Sequence, residues 1–330
     1  MGSSPIWTAI SKFKSSEDGF FLFVDYLLIS LFNKPMIINV SGRTDVVAYY
    51  MDWFVNRWNE GYFDVRNPFN PKLVSRIFVS DVDMIVFCTK NPLPLLDTIH
   101  VFSVPIQLQV TITGYFKDME PQVPDKGEII ACVQKLSSYL GKENVCVRYD
   151  PILLNSKYNV DYHIKAFDKL CKNLNGYVNK IIVSFMDEYK NVRSNKNILK
   201  YRAFTREDYK KIGEAFSKSA HDNGMSVQTC FEDEDLTQYG FVKGECLSHE
   251  LAYILTGKKF KSSNVRKEKK CECVQMVDIG DYNSCMHMCK YCYANYDEKA
   301  VSSNFERHDD NSSLLIGSIQ RDDVIKVRKK

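Results

Sequence analysis

From Met36 onward, short apolar runs alternate with longer stretches whose hydrophobic residues recur at helical spacing. The runs are Ile37–Val40, Met84–Cys88, Ile106–Ile112, Val145–Tyr149, Ile181–Phe185 and Ser226–Cys230. Several are rich in β-branched residues and too short for helices, so the pattern predicts six buried strands. Helices are predicted over Val46–Trp58, Lys126–Leu140, Val160–Leu174 and Thr205–Asn223. The last has Thr205 as N-cap, Asp208 in its first turn and Gly224 just past its end. This alternation predicts an α/β fold with a parallel sheet and right-handed crossovers. An open sheet and a six-stranded partial barrel fit it equally well, and in both, ligands gather at the carboxyl ends of the strands.

Polar residues collect at those ends: Ser41-Gly-Arg-Thr-Asp45, Thr89-Lys-Asn91, Thr111 with Thr113, Arg148-Tyr-Asp150, Ser184 with Asp187, and Gln228-Thr-Cys-Phe-Glu232. Any one set reads as a cap or turn; six in register read as the lining of a site. Arg43 follows the first strand in a Gly-containing loop that opens a helix, where backbone donors and a guanidinium fork suit a carboxylate or phosphate. Asp45 reads equally well as the N-cap of that helix. Lys90 precedes Asn91 and Pro92, just beyond the second strand. Arg148 and Asp150 straddle Tyr149, so alternation points them to one side, either paired with each other or facing ligand. Glu232 is a weaker candidate. After Glu232 the alternation stops; a short helix is expected over His249–Leu255, then a charged segment and a cysteine-rich block.

Composition narrows the picture. The chain has 330 residues, 45% hydrophobic and 26% charged, with a net charge of +3. That is enough apolar material for a sizeable core, and no concentrated basic face marks a nucleic-acid binder. The stretch Gly19–Phe32 is apolar but only 14 residues long and contains Asp25, against roughly 20 needed to span a bilayer. No membrane span and no cleavable signal are expected, which points to a reducing, cytoplasmic compartment. Eleven cysteines are present. Cys88, Cys132, Cys146 and Cys171 lie in apolar contexts and read as buried small hydrophobes. The other seven crowd into the last third, and in a reducing compartment such clustering points to metal.

The densest part reads Cys285-Met-His-Met-Cys289-Lys-Tyr-Cys292-Tyr-Ala. A compact loop with C-x3-C-x2-C spacing can turn three thiolates toward one iron–sulfur cluster. Such clusters normally take four ligands, so three leave one iron open for a substrate or cofactor. The competing reading is a structural zinc site with His287 as fourth ligand, although this spacing is unusual for zinc. Cys230, Cys246, Cys271 and Cys273 form a second set. They read as a second iron–sulfur cluster, an all-cysteine zinc site, free buried thiols, or the source of a fourth ligand to the first cluster.

The triplet, with Tyr291 immediately before its last cysteine, resembles the radical S-adenosylmethionine motif. The chain from about Met36 to Asn295 resembles the domain of unknown function 1848 family. The segments that carry this are Val40-Ser-Gly-Arg-Thr-Asp45, Arg66-Asn-Pro-Phe-Asn70, Phe87-Cys-Thr-Lys-Asn-Pro92, Arg148-Tyr-Asp-Pro-Ile152, and Cys271-Glu-Cys273 through Tyr291-Cys-Tyr-Ala294. The superfamily triplet normally follows the first strand, whereas here it follows the sixth. The resemblance therefore implies a rearranged parallel-stranded partial (β/α)6-type barrel, with the C-terminal segment folded back over the strand ends. The pattern along the chain divides it into an N-terminal extension (1–35), the partial barrel (36–235), a cysteine-rich iron–sulfur segment (236–300) and a flexible tail (301–330).

The cofactors implied are a [4Fe-4S] cluster on Cys285, Cys289 and Cys292, and S-adenosylmethionine, with Tyr291, Tyr293 and Gln228 as cofactor contacts. Arg43, Asp45, Lys90, Arg148 and Asp150 are the catalytic candidates. The implied partners are a reductant such as a flavodoxin or ferredoxin and a small-molecule or base-like substrate. A radical enzyme for base repair or modification is the alternative reaction, and a non-catalytic module with structural zinc is the alternative class.

Overall fold

The computed structural model describes residues 34–230, 232–263 and 272–328. The Gly19–Phe32 stretch and Cys271 lie outside the described residues. In chain order the strands are β1 (Met36–Asn39), β2 (Tyr62–Asn67), β3 (Asn70–Phe78), β4 (Val82–Thr89), β5 (Ile106–Thr111), β6 (Val145–Ile152), β7 (Lys180–Phe185), β8 (Ser226–Thr229), β9 (Val242–Lys243), β10 (Val277–Asp278) and β11 (Val324–Val327). Eight of them form one sheet in the order β10-β1-β4-β5-β6-β7-β8-β9, and each adjacent pair is parallel. All six runs singled out in the sequence lie in this sheet. The fold is α/β with a large parallel sheet.

The runs are continuously apolar because both faces of the sheet are covered. Ile38, Ile85, Leu108 and Val147 enter the main core with Trp53, Phe54 and Phe167. Ile37, Met84 and Val86 face the other way, against Leu247, Ala252 and Val274. The chain past Glu232 thus supplies the second cover, and two-residue strands from that part, β9 and β10, extend the sheet at either edge. This is why alternation stops there: the segment packs on the sheet without crossing it again.

The helices start where side chains cap them. Asp125 caps Lys126–Leu140 and Asn159 caps Val160–Leu174. Thr205 and Asp208 form a reciprocal capping box on Arg206–Asp222. His163 is fully buried, with its ring nitrogens 2.9 Å from Tyr149 Oη and 2.9 Å from the Leu153 carbonyl. Burial pushes its pKa down to about 4, so it is a neutral core residue.

Two features differ from expectation. A hairpin, β2–β3, is inserted between β1 and β4, and β11 pairs with β3 in parallel to make a second, three-stranded sheet. Residues past 300, expected as a flexible tail, carry a helix at Glu298–Glu306 and then bury Leu314, Leu315 and Ile316. Arg66 fixes the arrangement, reaching both Asp323 oxygens at 2.7 Å. Among the described residues, no helix is long and apolar enough to cross a membrane.

Candidate metal and cofactor site

The Cys285–Cys292 loop lies over the carboxyl ends of the parallel strands and is tied to residues that follow several of them. Tyr50 Oη donates to the Ser284 carbonyl at 2.5 Å, and Tyr293 Oη donates to the Gly42 carbonyl. Asn191, beyond β7, donates to the Cys292 and Asn295 carbonyls, and Asn195 donates to Lys290 O at 2.7 Å. Within the loop, Asn295 Nδ2 reaches Cys285 O at 2.7 Å. Met288 sits at φ +55°, a left-handed conformation that a non-glycine residue adopts at a cost of order 1 kcal/mol. That turn reverses the chain within the three-residue gap between Cys285 and Cys289.

Asp45 is the hinge of this arrangement. Its Oδ1 accepts from Ala48 N at 3.1 Å, the N-cap bond anticipated from sequence. Its Oδ2 accepts from Thr89 Oγ1 at 3.0 Å and Lys90 N at 2.7 Å, and lies 2.9 Å from His287 Nε2. The other ring nitrogen, His287 Nδ1, is 2.9 Å from Tyr49 Oη. Both ring nitrogens of His287 therefore have protein partners, which tie the loop to Asp45 and Tyr49.

Lys90 belongs to a buried polar cluster centred on Glu120, which sequence reading missed. Lys90 Nζ is 2.8 Å from Glu120 Oε1 and 3.0 Å from Tyr291 Oη. Lys126 Nζ, Tyr291 Oη and Thr113 Oγ1 also donate to this carboxylate. Burial works against the Glu120 charge, but Lys90 and Lys126 more than offset it and hold its pKa down at about 2. Tyr291 is thereby fixed by its hydroxyl, with its ring buried 5.3 Å from that of Tyr115. Glu120 lies in a polar turn between β5 and the next helix, where nothing in the local pattern distinguishes it from a surface acid.

Arg43 does not point to open space. Its guanidinium pairs with Asp278, whose Oδ1 also accepts from Gly42 N at 2.9 Å and Gly280 N at 3.1 Å. A Cβ on Gly42 would stand 2.6 Å from that carboxylate, so only glycine admits the contact. The pair locks β10 against β1 and delivers the cysteine loop to the strand ends.

Burial raises the Cys285, Cys289 and Cys292 thiols, and at Cys289 the positive charges of Lys90 and Lys126 act in the opposite direction. Beside the loop, Asn191 Oδ1 and Asn295 Oδ1 are buried and have no hydrogen-bond partner among the described residues. The donor set of one buried and two half-buried thiols, fixed backbone and nearby cations fits a thiolate-bound cluster.

A second set converges elsewhere on the strand ends. The sulfurs of Cys230, Cys246 and Cys273 all lie within 4.8 Å of one another, with Cys230 and Cys273 3.5 Å apart. Among the described residues, no other group of metal-ligating side chains is drawn together this tightly. Arg148 Nη1 is 3.1 Å from Cys246 Sγ, and the same guanidinium pairs with Asp150. Asp150 also accepts from Ser184 Oγ. Gln228, a candidate cofactor contact from sequence, donates to the Glu245 carbonyl at 3.0 Å. Glu232 accepts from Phe185 N at 3.2 Å, and burial pushes its carboxyl up to about 8.

No curated protein gives a match. Among solved structures, a spore photoproduct lyase complexed with dinucleoside spore photoproduct is 11% identical, at a TM-score of 0.37, over 64% of this chain and 65% of that one, just under two thirds. A putative alpha-L-fucosidase from Bacteroides thetaiotaomicron is 8% identical at a TM-score of 0.25, over 83% of this chain and 94% of that one. At these scores neither likeness bears on the fold or the chemistry. The family model described as Domain of unknown function (DUF1848) matches residues 37–294, most of the chain and all the segments that build both cysteine sites, and the protein belongs to that family.

Proposed function

We propose that Cys285, Cys289 and Cys292 hold a [4Fe-4S] cluster and that the protein is a radical S-adenosylmethionine enzyme on a rearranged partial barrel. The observation that carries this is the cysteine loop itself: one buried and two half-buried thiols of C-x3-C-x2-C spacing, tied to the ends of parallel strands, with the nearby histidine ring hydrogen-bonded to Asp45 and Tyr49. Three thiolates leave one of four ligand positions free. Bound there, the cluster and S-adenosylmethionine would supply one-electron cleavage of a carbon–sulfur bond to give a 5′-deoxyadenosyl radical.

The chain's own residues do the positioning. Asp45, through His287, and Asn191, through the Cys292 carbonyl, fix the loop before any ligand arrives. Lys90 and Lys126 place positive charge beside Cys289, which favours the thiolate over the thiol. Glu120 keeps both lysines in place and orients Tyr291. Arg43 acts through Asp278 to hold β10, so its role is to position the segment. An electron donor of the flavodoxin or ferredoxin type is the partner this chemistry requires.

The test is metal content. Protein purified without oxygen is expected to be brown, with about four irons and matching acid-labile sulfide per chain at this site, and Cys285→Ala, Cys289→Ala or Cys292→Ala should each abolish that cluster. A colourless protein holding zinc alone would overturn the reading.

A further inference from the structure

We propose that Cys230, Cys246 and Cys273 bind a single zinc ion, distinct from the cluster at the Cys285 loop. Sulfur spacing decides the class of metal. Tetrahedral zinc with bonds of ~2.3 Å puts its thiolate sulfurs about 3.8 Å apart. Cys230 and Cys273 are 3.5 Å apart, and Cys246 completes a triangle no wider than 4.8 Å. A cubane cluster spreads its thiolates over different irons and holds them farther from one another. The triplet at Cys285, Cys289 and Cys292 is not drawn within the same limit.

The surroundings are built for a fixed thiolate site. Gln107 and Gln109 of β5 are almost fully buried in a parallel sheet, where an amide needs a partner. Both donate to the Cys246 carbonyl, at 3.3 and 3.2 Å. Gln228 holds the preceding carbonyl, and Gly244 N bonds to Thr229 O at 3.2 Å. Cys246 N in turn reaches Cys273 Sγ at 3.2 Å. Four donors thus pin the backbone around Cys246 beside the end of β8, where Cys230 emerges.

A nearby cation eases the charge. Binding replaces three thiol protons with one divalent cation, releasing three protons and leaving a net charge of −1. The Arg148 guanidinium, on Cys246 Sγ and shared with Asp150, offsets part of that charge and acts as an outer-sphere donor. Three protein ligands leave zinc's fourth position for water or a further ligand. No electron transfer is involved. The ion would staple β8, the Gly244–Cys246 turn and the segment leading to Val274 across the second face of the sheet.

The variant lacking Cys285, Cys289 and Cys292 separates this site from the cluster. Expressed at full length and purified by gel filtration, it should retain about one zinc per chain, and cobalt exchanged into it should give an intense thiolate-to-cobalt absorption band. Adding Cys230→Ser should remove both. Arg148→Met should keep the fold and weaken zinc about 10- to 100-fold in a chelator competition. Zinc absent from the triplet variant, iron with sulfide in its place, or a Cys230–Cys273 disulfide in a thiol titration would each overturn the proposal. Zinc retained while the wild-type protein forms no iron cluster would instead overturn the radical reading and leave this one standing.

Discussion

Glu120→Ala is expected to lower the unfolding free energy by about 3–5 kcal/mol, because it leaves buried cations without their partner. Lys90, Lys126, Thr113 and Tyr291 all donate to this one carboxylate, which is 1% exposed. Lys126 can swing outward, but Lys90 is enclosed by the Glu120 and Tyr291 contacts and cannot. The same pair makes stability acid-dependent. The folded-state pKa of about 2 lies below the ordinary value of 4.5, so the stabilisation is present above pH 4.5 and is lost as pH falls through about 2. Urea unfolding between pH 2 and 7 is the check. Glu120→Gln should flatten that part of the profile, and a wild-type profile no steeper than that of Glu120→Gln would contradict the role given to this residue.

Asp45→Ala should cost about 3 kcal/mol and should also reduce iron loading of the protein. The stability loss combines a missing helix cap with three other donors left unpaired, from Thr89 Oγ1, Lys90 N and His287 Nε2. The metal loss follows because His287 lies inside the cysteine loop and its ring is held by Asp45 and Tyr49. Asp45→Asn keeps the size and an acceptor oxygen, so it should recover much of the stability and part of the iron. Equal iron per folded chain in the wild-type protein and Asp45→Ala would show that the histidine contact does not organise the site.

What the sequence made legible follows the physics of each part. Six strands were readable because strands buried on both faces must be continuously apolar, and Ile37–Val40 or Ile181–Phe185 has no other use. The hairpin β2–β3 was not readable. Its apolar positions are few, Val74 and Ile77 being the buried ones in β3, and its third partner β11 is exposed at all four residues and lies some 250 residues away. The flexible-tail expectation failed for a related reason: Leu314-Leu315-Ile316 is a three-residue plug among polar residues, too short to register as an element. At the candidate site, cysteine spacing singled out the loop, and strand-end position singled out Arg43, Asp45, Lys90, Arg148 and Asp150 as candidates. Strand alternation offered the pairing of Arg148 with Asp150, but position could not show Asp278 beside Arg43, Glu120 beside Lys90 or Cys246 beside Arg148. Those partners come from distant segments, and no local periodicity encodes them.

The pairing changes what these side chains can do. A lysine saturated by Glu120 and Tyr291, or an arginine shared between Asp150 and a cysteine sulfur, serves to hold the cysteine segments in place. The two cysteine sets then divide the work. The tight triangle of Cys230, Cys246 and Cys273 suits an ion that staples the fold, and the wider loop at Cys285 suits a cluster with a position to spare. The measurement that tests this most directly is formation of 5′-deoxyadenosine by the anaerobically reconstituted protein given S-adenosylmethionine and dithionite. The account predicts 5′-deoxyadenosine with the wild-type protein and none with Cys289→Ala; its absence from wild-type protein that carries a full complement of iron and sulfide would contradict it.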